Sequence, residues 1–191
     1  MPPTTPNTGG RPADLKQWDL PCNPAWKTDS GGRHHIFLFD GTWNDDTGIN
    51  PALSEFAGRI DRASGDVAGN RGVSDEGGHG TAVSAVAAAA RNGSNTMGVA
   101  FDATIVSQRA DEPGSCASKD GCAFYDGAIA AGIDAARQAG ARVINLSLGG
   151  STPGSTLLSA MNRAVSAGVV LVISAGNDGE TSQGSIRIRS H

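Results

Sequence analysis

The chain has 191 residues, of which 38% are hydrophobic and 27 are glycine, and its formal net charge is −4 with 15 lysines and arginines. This length suits one domain of ordinary size, and the composition excludes a chain that is disordered throughout. The negative charge and the lack of a basic run exclude the positive surface that nucleic-acid binding requires. No run of about 18 apolar residues predicts a membrane span, and the amino terminus lacks the basic and apolar regions of a signal peptide.

The first 33 residues differ in composition from the rest of the chain. Six of the nine prolines and all three tryptophans lie before residue 45. Residues 1–33 are rich in proline, threonine, asparagine and glycine and show no hydrophobic periodicity, which predicts a disordered or extended leader. We expect the folded part to span residues 34–191.

Beyond the leader, short apolar runs alternate with helical patterns. The runs predict strands at 36–39, 104–108, 143–148 and 169–174, and the patterns predict helices at 79–91, 125–138 and 156–167. Such alternation predicts a parallel sheet with right-handed crossovers. Because the last two strands are almost continuously apolar, we expect helices on both of their faces. The predicted fold class is a doubly wound α/β fold, in which ligands bind beyond the carboxyl ends of the strands.

The three cysteines, Cys22, Cys116 and Cys122, are too few for a disulfide scaffold and wrongly spaced for a zinc site. Cys116 and Cys122 enclose a short polar segment. They could form a disulfide in an oxidising compartment or remain two thiols in a reducing one, and the sequence leaves both alternatives open.

Polar residues follow the predicted strands at the edge where a ligand would bind. Asp40 ends the first strand, Ser147 lies at the end of the third, and Asn177 follows the last. His79 lies between two glycines at the start of a predicted helix. An imidazole, a carboxylate and an amide are therefore expected to meet at one edge of the sheet.

Several motifs in this order resemble those of the subtilase family of serine peptidases. They are HGTAV at 79–83, GVA at 98–100, VINLSLGG at 143–150 and SAGN at 174–177, with Phe101 where the family usually has proline. The segment DTGINP at 46–51 is similar to the aspartate motif of the family. The loop between Cys116 and Cys122 and the alanine-rich helix resemble, more narrowly, the peptidase domains of bacterial autotransporter subtilases.

The resemblance implies a role for each matching residue. His79 would be the general base, Asn177 would donate its side-chain amide to the oxyanion, and the backbone of Ser147, Leu148 and Gly149 would pair with the substrate as an added strand. It also implies a protein or peptide substrate, a secreted or cell-surface location and no cofactor. Members of the family often bind calcium, but no dense carboxylate loop stands out in this sequence.

The acid of the implied triad has two candidates. Asp46 lies in the family-like motif at a suitable distance from His79, and the residues that follow it, up to Ile60, continue the family pattern. However, the apolar strand ends at Asp40, whereas the family aspartate directly follows its strand. We favour Asp46 as the acid and keep Asp40 as the alternative.

The nucleophile of the implied triad has no counterpart in these residues. The family places its serine in a Gly-Thr-Ser motif on a later helix, and no Gly-Thr-Ser occurs in the 191 residues. We therefore expect the amino-terminal two thirds of a truncated peptidase domain, inactive by itself, or alternatively an inactive chain that keeps a peptide-binding edge. Residues 34–45 are faintly similar to phospholipase effectors with an α/β-hydrolase fold, but the Gly-x-Ser-x-Gly elbow of such lipases is absent.

Overall fold

The computed structural model describes residues 48–69, 78–117, 122–149 and 152–174, together with the backbone of 35–41. The predicted leader, Asp46 and Asn177 lie outside these ranges. The described elements are, in chain order, β1 (His35–Gly41), β2 (Gly65–Asp66), α1 (His79–Ala88), β3 (Thr104–Arg109), α2 (Asp126–Gln138), β4 (Val143–Leu148), α3 (Ser155–Ser166) and β5 (Val170–Ile173). Single turns of 3-10 helix lie at Ser54–Phe56 and Ser115–Ala117.

The strands form one parallel sheet in the order β2-β3-β1-β4-β5. The register places Ile105, Val143 and Val170 in one row across the sheet, on either side of β1. Residues of one row share a face, and their neighbours along each strand lie on the opposite face. The predicted doubly wound α/β fold is confirmed.

Each face of the sheet has its own hydrophobic core. On one face, α2 and α3 pack over a core that includes Ile133, Ile144 and Leu157, each at most 2% exposed. On the other face, α1 packs beside a smaller core that includes Phe56 and Ile105. The expectation of helices on both faces of the sheet is therefore confirmed.

The helical cover is incomplete over the last two strands. On the face shared with α1, Val170 and Val172 of β5 are 43% and 47% exposed, and no described helix covers them. Within the described residues, α2 and α3 therefore cover one face of β4 and β5, and the other face is partly exposed. A continuous apolar run indicates that a strand can be buried on both sides, but it does not identify the segment that covers it.

Helix α1 ends at Ala88, three residues earlier than the predicted end at Arg91. Ala89 leaves the helix with φ −58° and ψ 142°. The chain then returns against the last turn, where the amides of Gly98, Val99 and Ala100 donate to the carbonyls of Ala89, Val86 and Ala87 at 3.0, 3.1 and 2.8 Å. A Cβ atom at Gly98 would lie 2.4 Å from the Ala88 nitrogen, so this crossing requires glycine. These tertiary contacts override the helix propensity of the following alanines.

Candidate active site

His79 is the first residue of α1. The preceding residue, Gly78, has a φ of 94°, which glycine adopts without steric cost and which turns the chain into the helix. The His79 side chain is half-buried and lines a cavity beside α1. The structure therefore places the predicted base at a helix end, with access to an open space.

The segment after the candidate acid is bound to the same helix. The backbone amide of Asn50 donates to Thr81 Oγ1 at 2.9 Å, and Thr81 lies two residues after His79. Ile49 is completely buried in the core next to α1. Asp46 lies outside the described residues and Asp40 is described by its backbone alone, so the choice between them stays a prediction.

The three predicted peptide-binding residues lie at the end of β4 in different environments. Leu148 is 3% exposed, and its carbonyl accepts a hydrogen bond from Ser174 Oγ at 2.6 Å. On its other side β4 pairs with β1 as far as Leu148, with Asp40 opposite Ser147. Gly149 is exposed and follows the last of these pairs. That the backbone of Ser147, Leu148 and Gly149 pairs with a substrate stays a prediction.

An apolar cavity of about 680 Å³, which we call the α1 groove, lies between α1 and the uncovered face of β4 and β5. Its lining consists of His79, Ala82, Val83, Val86, Ala87, Val99, Ala100, Val143, Asn145 and Val172. Val86 and Val99 are 67% and 89% exposed, although both side chains are apolar. Asn145 Nδ2 donates to Ser147 Oγ at 2.8 Å, which connects the groove to the end of β4. The groove thus brings His79, Asn145 and exposed valines to one surface.

The carboxyl end of β3 carries a charged pair that the sequence analysis missed. Arg109 Nε and Nη2 donate to Asp111 Oδ1 and Oδ2 at 2.9 and 3.1 Å, and both side chains are buried. A disulfide joins Cys116 to Cys122, which is the first of the two alternatives left open by the sequence. Cys116 Sγ lies 3.5 Å from Asp111 Oδ2. An arginine and an aspartate two residues apart at the end of an apolar strand were the available sequence signal.

Metal ligands are not grouped in the described part of the chain. No three histidine, cysteine, aspartate or glutamate side chains there lie close enough together to hold an ion. Glu55 instead accepts hydrogen bonds from Asn95 Nδ2 and Ser54 Oγ, and the Asn95 bond is the main cause that lowers the pKa of this carboxyl. Within the described ranges, no helix has the length and apolar character needed to cross a bilayer.

The parallel sheet, the histidine at a helix start and the apolar groove beside it define an α/β fold with a candidate active site. The Peptidase_S8 model, which describes the subtilase family, matches residues 38–190. The chain belongs to the subtilase family.

Individual relatives agree with this assignment. The chain is 37% identical to subtilisin BL of Lederbergia lenta over 119 residues, which cover 61% of the chain and 40% of the relative. It is 36% identical to thermitase of Thermoactinomyces vulgaris over 160 residues, which cover 82% of the chain and 52% of the relative. The chain thus spans about half or less of the length of these relatives.

A solved structure supports the same fold. Fervidolysin from Fervidobacterium pennivorans, described as a keratinolytic enzyme related to subtilisin, superposes with a TM-score of 0.63 at 26% identity. The match covers 80% of this chain and 22% of fervidolysin. The α/β fold of the subtilisins is therefore present in the described residues.

Proposed function

We propose that residues 34–191 form the part of a subtilisin-like serine endopeptidase domain that carries the base, the acid, the oxyanion donor and the peptide-binding edge. The observation that carries the proposal is the position of His79 on the wall of the α1 groove. The bond from Asn50 to Thr81 supports it further, because it ties the chain after Asp46 to the helix that begins at His79. Since no Gly-Thr-Ser occurs in the 191 residues, the nucleophilic serine has to come from polypeptide outside them.

The proposed reaction is hydrolysis of a peptide bond through an acyl-enzyme. His79 takes the proton of the serine hydroxyl as it attacks the scissile carbonyl, and later gives it to the leaving amine. Asp46 orients the imidazole and stabilises its protonated form, with Asp40 as the alternative acid. The Asn177 amide donates a hydrogen bond to the negatively charged oxygen of the tetrahedral intermediate.

The substrate in this proposal is an extended segment of a protein. It would pair as an added strand with the backbone of Ser147, Leu148 and Gly149. A secreted or cell-surface location is part of the proposal, because the Cys116–Cys122 disulfide persists best in an oxidising compartment.

The sequence also favours a second candidate function. Without a nucleophile the 191 residues would bind an extended peptide and release it unchanged. A serine-directed fluorophosphonate probe distinguishes a chain without a nucleophile from an enzyme that uses a serine outside a Gly-Thr-Ser motif. We expect no stoichiometric labelling of any serine, and labelling of one serine would contradict the assignment of the missing nucleophile.

Complementation tests the proposed peptidase. The chain is mixed or fused with the carboxyl-terminal third of a homologous subtilase, and cleavage of a fluorogenic peptide is measured. Activity should arise only in the assembly and should be lost in His79→Ala. Asp46→Asn and Asp40→Asn form a matched pair, of which only the first should abolish activity. An assembly that unfolds cooperatively yet cleaves nothing would refute the proposal.

A further inference from the structure

An asparagine followed directly by a glycine lies in the loop after α1. Asn92 and Gly93 are both exposed. Gly93 has a φ of 81°, and a Cβ atom built there would meet nothing within 4 Å. Among the described residues, no backbone carbonyl accepts a hydrogen bond from the Gly93 amide. The nitrogen that follows Asn92 in the chain is therefore unhindered by a side chain and open to solvent.

The side-chain carbonyl of Asn92 is polarised by its own turn. Asn92 Oδ1 accepts hydrogen bonds from the Ser94 amide at 3.0 Å and from Ser94 Oγ at 3.1 Å. Negative charge develops on this oxygen when a nucleophile attacks the side-chain carbonyl carbon. Donors that already point at such an oxygen lower the barrier to the attack. The turn thus combines an activated electrophile with an accessible nitrogen one residue further along the chain.

We propose that Asn92 is a site of spontaneous deamidation in the folded protein, with water as the second reactant. The Gly93 nitrogen loses its proton to solvent base and bonds to Asn92 Cγ. The bond from Cγ to Nδ2 then breaks, ammonia leaves with a proton from solvent, and a five-membered succinimide remains. Water adds to one of the two ring carbonyls and opens the ring. Opening at Cγ gives aspartate, opening at the main-chain carbonyl gives isoaspartate, and either product carries one more negative charge.

The loop that would be modified is anchored on Glu55 on both sides of Asn92. The Ala90 amide donates to the Glu55 carbonyl at 2.9 Å, and Asn95 Nδ2 donates to the Glu55 carboxylate. Aspartate at position 92 keeps the length of the main chain between these anchors. Isoaspartate directs the main chain through the side-chain carbons and makes it one carbon longer. The isoaspartate product should therefore disturb the bond from Asn95 to Glu55, and the aspartate product should not.

Mass spectrometry of the aged 191-residue chain tests the modification. After incubation in mildly alkaline buffer, tryptic peptides are fragmented to locate each asparagine that has become an acid. Asn162 is the internal control, because it is exposed but lies inside α3, where a helix hydrogen bond holds the next amide. Asn92 should convert and Asn162 should not. Ser94→Ala removes one of the two donors to Oδ1 and should slow the conversion about fivefold.

The same incubation in urea separates a property of the folded loop from one of the unfolded chain. Conversion of Asn92 in the folded chain, at a rate equal to or above that in urea, supports the proposal. Conversion that occurs only in urea, or that proceeds equally at Asn92 and Asn162 in the folded chain, would overturn it. Peptidase activity enters neither measurement, so failure of the proposed function would leave this result unchanged.

The effect on the loop has its own readout at Glu55. The bond from Asn95 is the main cause that lowers the pKa of the Glu55 carboxyl, so loss of this bond should raise the pKa. The isoaspartate form is separated by chromatography and its Glu55 carboxyl is titrated by NMR. Asn92→Asp, measured at once, supplies the charge without the longer main chain and should raise the pKa less. An isoaspartate form in which Glu55 titrates as in Asn92→Asp would refute the proposed effect on the loop.

Discussion

Gly98→Ala should destabilise the protein strongly, although it adds a single methyl group. The added Cβ would lie 2.4 Å from the backbone nitrogens of Ala88 and Ala89 and 2.6 Å from the Ala88 Cα. These neighbours are backbone atoms at the end of α1, so no flexible side chain can move aside. The returning chain would have to retreat from the helix.

The expected cost follows from the hydrogen bonds made at this crossing. The amides of Gly98, Val99 and Ala100 each donate to a carbonyl in the last turn of α1 or at Ala89. A net contribution of about 1 kcal/mol for each bond gives a loss of about 3 kcal/mol. A typical domain has only about 5–15 kcal/mol of stability, so this loss is a large fraction of the total.

Urea unfolding followed by circular dichroism measures this effect. With a slope of about 1–3 kcal/mol per molar urea, the midpoint should fall by about 1 M or more. Gly127→Ala is the matched control, because a Cβ there meets nothing within 4 Å inside α2 and should stabilise the chain by about 0.5–1 kcal/mol. A midpoint for Gly98→Ala within error of the parent chain would refute the packing argument.

Three further predictions concern other parts of the chain. Hydrogen bonds from Arg163 and the charges nearby lower the pKa of Asp134. The ion pair therefore stabilises the fold above about pH 4, and this stabilisation is lost as the pH falls through the lowered pKa of Asp134. In Asp134→Asn, the unfolding free energy should lose this acid-dependent contribution, which is under about 1 kcal/mol. An unchanged dependence of stability on pH would exclude a contribution from the pair. Because Val99 is apolar and exposed at the α1 groove, the parent chain should bind an apolar fluorescent dye. Val99→Ser should lower the dye fluorescence and leave the stability unchanged. Undiminished dye binding would show that the apolar surface lies elsewhere. Trypsin should cut first within residues 1–33, and survival of that segment after cuts elsewhere would contradict the predicted leader.

The long helices were predictable from sequence because their buried faces repeat strongly. In α3, Leu157, Ala160, Met161 and Ala164 are buried at helical spacing, and Gly168 with a φ of 81° follows the helix. The predicted bounds, 156–167, differ from Ser155–Ser166 by one residue at each end. The local sequence pattern was enough to predict α3 because the residues buried by packing are the ones that recur at helical spacing.

Elements that depend on distant contacts were not predicted. Strand β2 has two residues, too few for a hydrophobic period, and exists through its pairing with Gln108 and Arg109 of β3. The early end of α1 depends on contact with Gly98, ten residues further along the chain.

Within the candidate site, the Gly-His-Gly sequence correctly located His79 at a helix start. The Arg109–Asp111 pair was missed because spacing alone does not reveal which charged residues become buried together. The helix start is a local property of the chain, whereas the burial of the pair depends on how the segment that contains Cys116 folds over it.

The strand order has a consequence for the time course of synthesis. β1 is made first, yet it lies between β3 and β4, and Ile36 pairs with Val143, which follows roughly 100 residues later. Because synthesis adds about 5–20 residues per second, about 5–20 s pass between the synthesis of β1 and that of β4, its second partner in the sheet. By contrast, β4, α3 and β5 are consecutive and can associate as soon as they emerge. The middle of the sheet therefore remains open to chaperones until β4 has left the ribosome.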